Sequence, residues 1–142
     1  MARLRMLEHT ADVGFEVEAA TLAEVFEAAA EALLRVMFEG GLPRRGRRRE
    51  RLVLAAPDLE TLLVRWLDEL IYRVQTRAEV PVRTRVHLET APEGRRLTAE
   101  LDLLPFEEVQ DRFAGEVKAA TYHGLRVEPT EAGWAASVIL DV

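Results

Sequence analysis

The sequence contains no cysteine, no asparagine, one serine (Ser137) and one lysine, Lys118, against eighteen arginines. Each gap removes a class of chemistry. Without cysteine there is no thiolate metal site, no disulfide and no cysteine nucleophile, and a lone serine leaves little for a serine triad. No Walker lysine loop, dinucleotide-binding glycine pattern or strand-turn-helix nucleophile elbow is present, so no familiar loop binds a nucleotide. No apolar stretch approaches bilayer length, and Met1-Ala2-Arg3-Leu4-Arg5 lacks the apolar core of a secretory leader, so the chain is expected in the cytosol, away from membranes. The lack of thermolabile Asn and Cys, with charge dominated by Arg and Glu, fits a protein that works hot.

What is present describes one globular domain, residues 1–142, long enough to bury a core. The net charge of −6 argues against broad nucleic-acid affinity. It is unevenly spread: the run from Arg44 to Arg51 holds six arginines and one glutamate, +5, leaving −11 elsewhere. That run reads either as a solvated loop entering a strand or as a phosphate contact.

Leu4 and Met6 alternate with arginines, and Val13, Phe15 and Val17 alternate with Gly14, Glu16 and Glu18, which predicts two strands in the first twenty residues. Thr21 followed by Glu24 is a capping box, and Leu22, Val25, Phe26, Ala29, Leu33 and Val36 recur at helical spacing up to Gly40. After a short strand at Leu52-Val53-Leu54, Pro57-Asp58 opens a second helix, with a broad apolar stripe from Leu59 to Val74 and Arg65, Asp68, Glu69 and Arg73 on its wet face. The remainder reads as β: Val80 to Thr90, Leu97 to Leu103, Glu116 to Tyr122, Leu125 to Glu128 and Trp134 onward, with His123-Gly124 as a two-residue hairpin loop. The expected fold is an α+β sandwich, a mixed β-sheet with both amphipathic helices packed on one face.

Four residues stand out. Asp12 sits between apolar Ala11 and Val13 at the mouth of a strand, before a glycine that lets another backbone come close. It is either a turn aspartate bonded to its own backbone or an acid placed for a purpose. Asp141 closes the apolar run Val138-Ile139-Leu140 beside the terminal carboxylate of Val142, either in a frayed end or at a cation site. If the last strand pairs with the first two, Asp12 and Asp141 converge, and oxygen ligands alone favour a hard ion such as Ca²⁺ or Mg²⁺. His9 is the one histidine near them; His9, His87 and His123 are too scattered for a zinc signature, and His87 reads as an ordinary strand residue. Lys118 survives the arginine habit either by chance or because a compact, tunable ammonium is required.

Glu8-His9-Thr10-Ala11-Asp12-Val13-Gly14, the stretch from Asp58 to Glu69, Glu116-Val117-Lys118-Ala119-Ala120-Thr121-Tyr122-His123 and the closing Val138-Ile139-Leu140-Asp141-Val142 together resemble the archease family. The segments occur in the family's order and span nearly the whole chain. The resemblance implies a non-catalytic partner of an RtcB-type RNA ligase in tRNA splicing, one that promotes guanylylation of the ligase's active-site histidine by GTP and its repeated turnover, meeting RNA through the ligase. It also implies a metal site, Ca²⁺ with Mg²⁺ or Mn²⁺ as alternatives, built on Asp12 and Asp141 with a main-chain or terminal oxygen of Val142. Lys118 matches the family's basic position, although a simple meander through the His123-Gly124 turn sets it several residues from Asp141. Where many family members carry a Lys-His pair, this chain has Gln110-Asp111-Arg112. Two other readings remain: a stand-alone metal-dependent hydrolase or phosphotransferase with His9 as base, and an RNA-binding adaptor using the Arg44 to Arg51 run.

Overall fold

A computed structural model describes residues 2–8 and 12–142. His9 lies outside the described residues. In chain order the elements are β1 (Arg3–Glu8), β2 (Asp12–Ala19), α1 (Leu22–Met37), β3 (Arg48–Ala56), α2 (Leu59–Gln75), β4 (Glu79–Ala91), β5 (Gly94–Pro105), β6 (Ala119–Ala120), β7 (Arg126–Thr130) and β8 (Gly133–Asp141), with two short 3₁₀ turns between Phe106 and Arg112.

Both helices start where their caps say. The Thr21 hydroxyl accepts the Glu24 N–H at 3.2 Å while bonding the Glu24 carboxylate, and Asp58 accepts the Thr61 N–H at 2.8 Å. Each cap satisfies N–H groups that the first helical turn leaves without partners. The two helices are tied by the buried Trp66, whose indole N–H donates to the Phe26 carbonyl at 2.9 Å.

The strands form two sheets, with order β1-β2-β8-β6 in one, β7 also on β8, and β3-β5-β4 in the other. The α+β class and the two packed helices are as the patterning predicts. The layering is richer than helices on one face of a mixed sheet. All strand pairs are antiparallel, and each helix packs on strands of both sheets. This explains how little of α1 is wet: only Glu31 and Arg35 within it are exposed. A helix covered by a sheet on either side must be apolar almost all round.

Three expectations are corrected. The basic run is not a loop ending at Leu52, because β3 begins at Arg48 and pairs with β5 along its whole length. Arg73 is not on a wet face: it is 4% exposed, its guanidinium bonded to Glu69 at 3.0 Å and to Glu50 of β3. Arg73, then Arg48, hold the Glu50 carboxyl at about 2, well below the usual range. Finally, the stretch from Glu116 to Tyr122 is strand only at Ala119–Ala120. The turn at His123-Gly124 does form, with Gly124 at φ +65° and the Leu125 N–H donating to the Tyr122 carbonyl at 3.3 Å. It joins no hairpin. β6 and β7 run along the same edge of β8, and the intervening turn shifts their register on it by three residues.

Candidate functional site

The register of β2 on β8 sets Asp12 directly opposite Asp141. Phe15, Val17 and Ala19 of β2 and Ala136, Val138 and Leu140 of β8 are buried, so the alternate residues, the two aspartates among them, belong to the sheet's outward face. Gly14 fits here by size: a Cβ would stand 3.3 Å from Leu7 Cβ and 3.2 Å from the Val138 carbonyl.

The backbone sharpens the pairing. The Asp141 carbonyl accepts the Lys118 N–H at 2.8 Å, on the β6 side. In an antiparallel strand a residue's N–H and C=O point the same way, so toward β2 Asp141 makes a non-hydrogen-bonded pair, the kind with Cα atoms only about 4.5 Å apart and the closer side chains. Like charges so placed repel. Among the described residues neither aspartate has an ion-pair partner within 4.0 Å. Further along the same face the acids are matched: Glu16 pairs with Arg5 and Glu18 with Arg3, the latter at 3.2 Å.

The same hydrogen bond overturns the separation of Lys118 from Asp141. Because the register break lies beyond Ala120, Lys118 stays level with the end of β8. It is exposed, and no ion pair engages it among the described residues.

What fixes this corner comes from α2, through residues that patterning alone did not single out. Gln75 clasps Val117 at both ends, its side-chain oxygen accepting the Val117 N–H at 2.8 Å and its NH₂ donating to the Val117 carbonyl at 2.9 Å. Asp68, expected on the wet face, is half-buried and accepts the Ala120 N–H at 2.9 Å. Burial pushes its carboxyl up, with the Ala120 N–H pulling the other way. The two residues are seven apart, two helical turns, which is the signal that could have found them: polar side chains in register on an otherwise apolar stripe. Thr121 holds the other side, its hydroxyl donating to the Ile139 carbonyl at 2.9 Å. Arg112, at the position where the family resemblance lapses, donates to the Gly41 carbonyl.

As a donor set the corner offers the carboxylates of Asp12 and Asp141 and a main-chain oxygen of Val142, all hard oxygen. The described residues contain no cluster of three or more His, Cys, Asp or Glu side chains able to hold an ion. Two carboxylates without a cation fit Ca²⁺ or Mg²⁺, with several of the six to eight oxygens that Ca²⁺ takes left to main chain, water or a partner.

Residues 4–142 match the archease protein family. The chain belongs to that family. Protein archease of Methanosarcina acetivorans is 39% identical over 137 residues, covering 96% of this chain and 93% of its own length. Protein 1598 of Methanobacterium thermoautotrophicum, solved in solution, superposes with a TM-score of 0.79 at 30% identity over 98% of each chain. An archease of Thermotoga maritima, described as a possible chaperone, shares the fold at a TM-score of 0.61 and 19% identity over 96% of this chain and 94% of its own. With the family established, three of the four segments that carry the resemblance converge where the start of β2 meets the end of β8, while the fourth forms about the first three turns of α2.

Proposed function

We propose that this chain is a non-catalytic activator of an RtcB-type RNA ligase in tRNA splicing, promoting guanylylation of the ligase's active-site histidine by GTP and its repeated turnover. The observation that carries the reading is the Asp12/Asp141 pair, two carboxylates opposed across adjacent strands with no ion-pair partner within 4.0 Å among the described residues. Asp12, Asp141 and an oxygen of Val142 would hold a divalent ion, Ca²⁺ in first place, with Mg²⁺ and Mn²⁺ as alternatives. Such an ion supplies positive charge with open coordination positions, suited to phosphate oxygens or a partner's carboxylates.

The chain's own residues do the positioning. Gln75 and Asp68 hold residues 117–120 against α2, and the Lys118 N–H ties that segment to Asp141. The Lys118 ammonium then stands on the same corner as the acids, a mobile point charge for a phosphate approaching them. Docking this corner at the mouth of the ligase's active site would orient the nucleotide for attack by the ligase's histidine, an effect of position and field with no covalent intermediate on this chain.

Single-turnover guanylylation of the cognate ligase with radiolabelled GTP tests this. Wild-type protein is expected to accelerate the step and Asp12→Ala and Asp141→Ala to lose at least about tenfold of that acceleration, about 1.4 kcal/mol. Equal acceleration by the variants removes the acidic corner from the mechanism. No acceleration by wild type, with phosphoester turnover by the protein alone, replaces the activator with a hydrolase.

A further inference from the structure

The outward face of the β3-β5-β4 sheet carries charge of the other sign. Its register lines up Arg49, Asp102 and Arg83 in one cross-strand row and Arg51, Glu100 and Arg85 in the next. All four arginines are exposed. Although an acid stands between each pair, none of the four is in an ion pair within 4.0 Å among the described residues. By contrast Arg47, Arg48, Arg73, Arg77 and Arg96, on or beside the same sheet, are all paired. Asp102 is partly occupied, accepting the Gly46 N–H at 3.0 Å. Four positive charges against two negative leave this patch at +2 in a chain of −6.

The geometry is that of a grid. Arginines two residues apart on one strand are about 7 Å apart, and those on β3 and β4, with β5 between, about 10 Å. Each presents a planar fork of donors that matches a phosphate bidentately. At the β4 edge Arg83 and Arg85 also line a cleft with Arg44, where Glu24, Glu27 and Glu31 of α1 balance the charge, so the unmatched basic surface is the strand face itself. The composition of the face selects the partner. A protein interface has a core depleted in charge and enriched in aromatic residues and methionine. Here, from the Arg49 row to the row of Ala55, Arg96 and Glu89, Val53 is the only large apolar side chain, and none is Phe, Tyr or Trp. Nucleic-acid interfaces are the more polar and positively charged kind. With His87 the one aromatic ring on the face, contact is chiefly to the backbone.

We propose that this face binds the phosphodiester backbone of a nucleic-acid strand through Arg49, Arg51, Arg83 and Arg85, without reading its sequence. The acidic remainder of the body confines the strand to this face. The site is separate from the Asp12/Asp141 corner, which lies on the other sheet.

Fluorescence anisotropy with a labelled single-stranded RNA of mixed sequence, from 50 to 200 mM salt, tests the proposal on the full chain. Counterion release gives a slope in log K against log salt of about −0.7 per contacted phosphate, so four contacts predict roughly −3. Replacing all four arginines by glutamine should cost at least about tenfold in affinity at 50 mM and flatten the slope toward zero, while replacement by lysine should keep most of it. Single-stranded DNA of the same sequence should bind alike. If the fourfold glutamine variant fails to fold, R49Q/R51Q and R83Q/R85Q should each lose about half the slope. Absence of RNA binding by wild type, unchanged binding by the glutamine variants, or preference for a labelled polyglutamate peptide over RNA would overturn the proposal. The fourfold variant should still accelerate ligase guanylylation, so failure here and failure of the ligase reading are distinguishable.

Discussion

The two sheets present similar inward faces and opposite outward ones. Inward, each is apolar and lies on the same two helices: Phe15, Val17, Val138 and Leu140 from one, Leu97, Ala99, Leu101 and Leu103 from the other. Outward, one sheet ends in Asp12 opposite Asp141, and the other spreads Arg49, Arg51, Arg83 and Arg85 across two rows, none of the six in an ion pair within 4.0 Å among the described residues. The inward side shows what the fold does with charge it must accommodate. Arg73, almost fully buried, is given Glu50 and Glu69. The fold pairs its buried cation with two acids, and Glu16 and Glu18 with arginines on the same face as Asp12, whereas among the described residues the Asp12/Asp141 pair and the four outward arginines have no ion-pair partner within 4.0 Å.

That contrast can be broken most strongly on the inward side. Arg73→Ala strands two carboxylates beside a helix interior, and since both acids are partly solvated the loss should fall near about 3 kcal/mol by chemical denaturation. The same measurement on any one of Arg49, Arg51, Arg83 and Arg85 should move stability by no more than about 0.5 kcal/mol, because among the described residues those side chains have no ion-pair partner to lose. Acid sharpens the point. The Glu50 carboxyl sits at about 2 in the folded protein, below its ordinary value near 4.5. Its contribution is therefore complete above about 4.5 and lost as pH falls toward 2, and a stability profile should show a descending limb there that is shallower in Arg73→Ala.

Next in size is the clasp beneath the acidic corner. Gln75→Ala leaves the Val117 N–H and carbonyl without their partners and should cost about 1 to 3 kcal/mol, with faster amide exchange at residues 117–120. Smallest is the effect of the acid pair itself. Asp12→Asn removes one of two opposed like charges, so in EDTA the variant should be more stable than wild type by up to about 1 kcal/mol. Calcium should reverse the order: at one hundred times its dissociation constant it stabilises wild type by about 2.7 kcal/mol and leaves the variant nearly unmoved.

The helices and the two acids were legible in the chain because their signals are local: Thr21 with Glu24, Asp58 before an apolar stripe, an aspartate breaking each of two apolar runs. What escaped local reading depends on partners far along the chain. Arg73 looks like a surface residue of a helix until β3 delivers Glu50 against it, and Asp68 until residues 117–120 return to α2. The run from Arg44 to Arg51 looks like a loop because six arginines suggest water on all sides, yet from Arg48 the chain is paired strand with alternate side chains outward, and that alternation forms the arginine grid. Lys118 was misplaced relative to Asp141 for a geometric reason: counting back through a hairpin at His123-Gly124 assumes unbroken pairing, and the three-residue register shift between β6 and β7 removes the offset.

Titration calorimetry of EDTA-stripped protein with CaCl₂, wild type beside Asp141→Asn, tests the central claim most directly. One binding event per chain for wild type, weakened at least tenfold in the variant, is the predicted result. No binding by wild type, or equal binding by both proteins, would mean that the opposed aspartates are not a cation site.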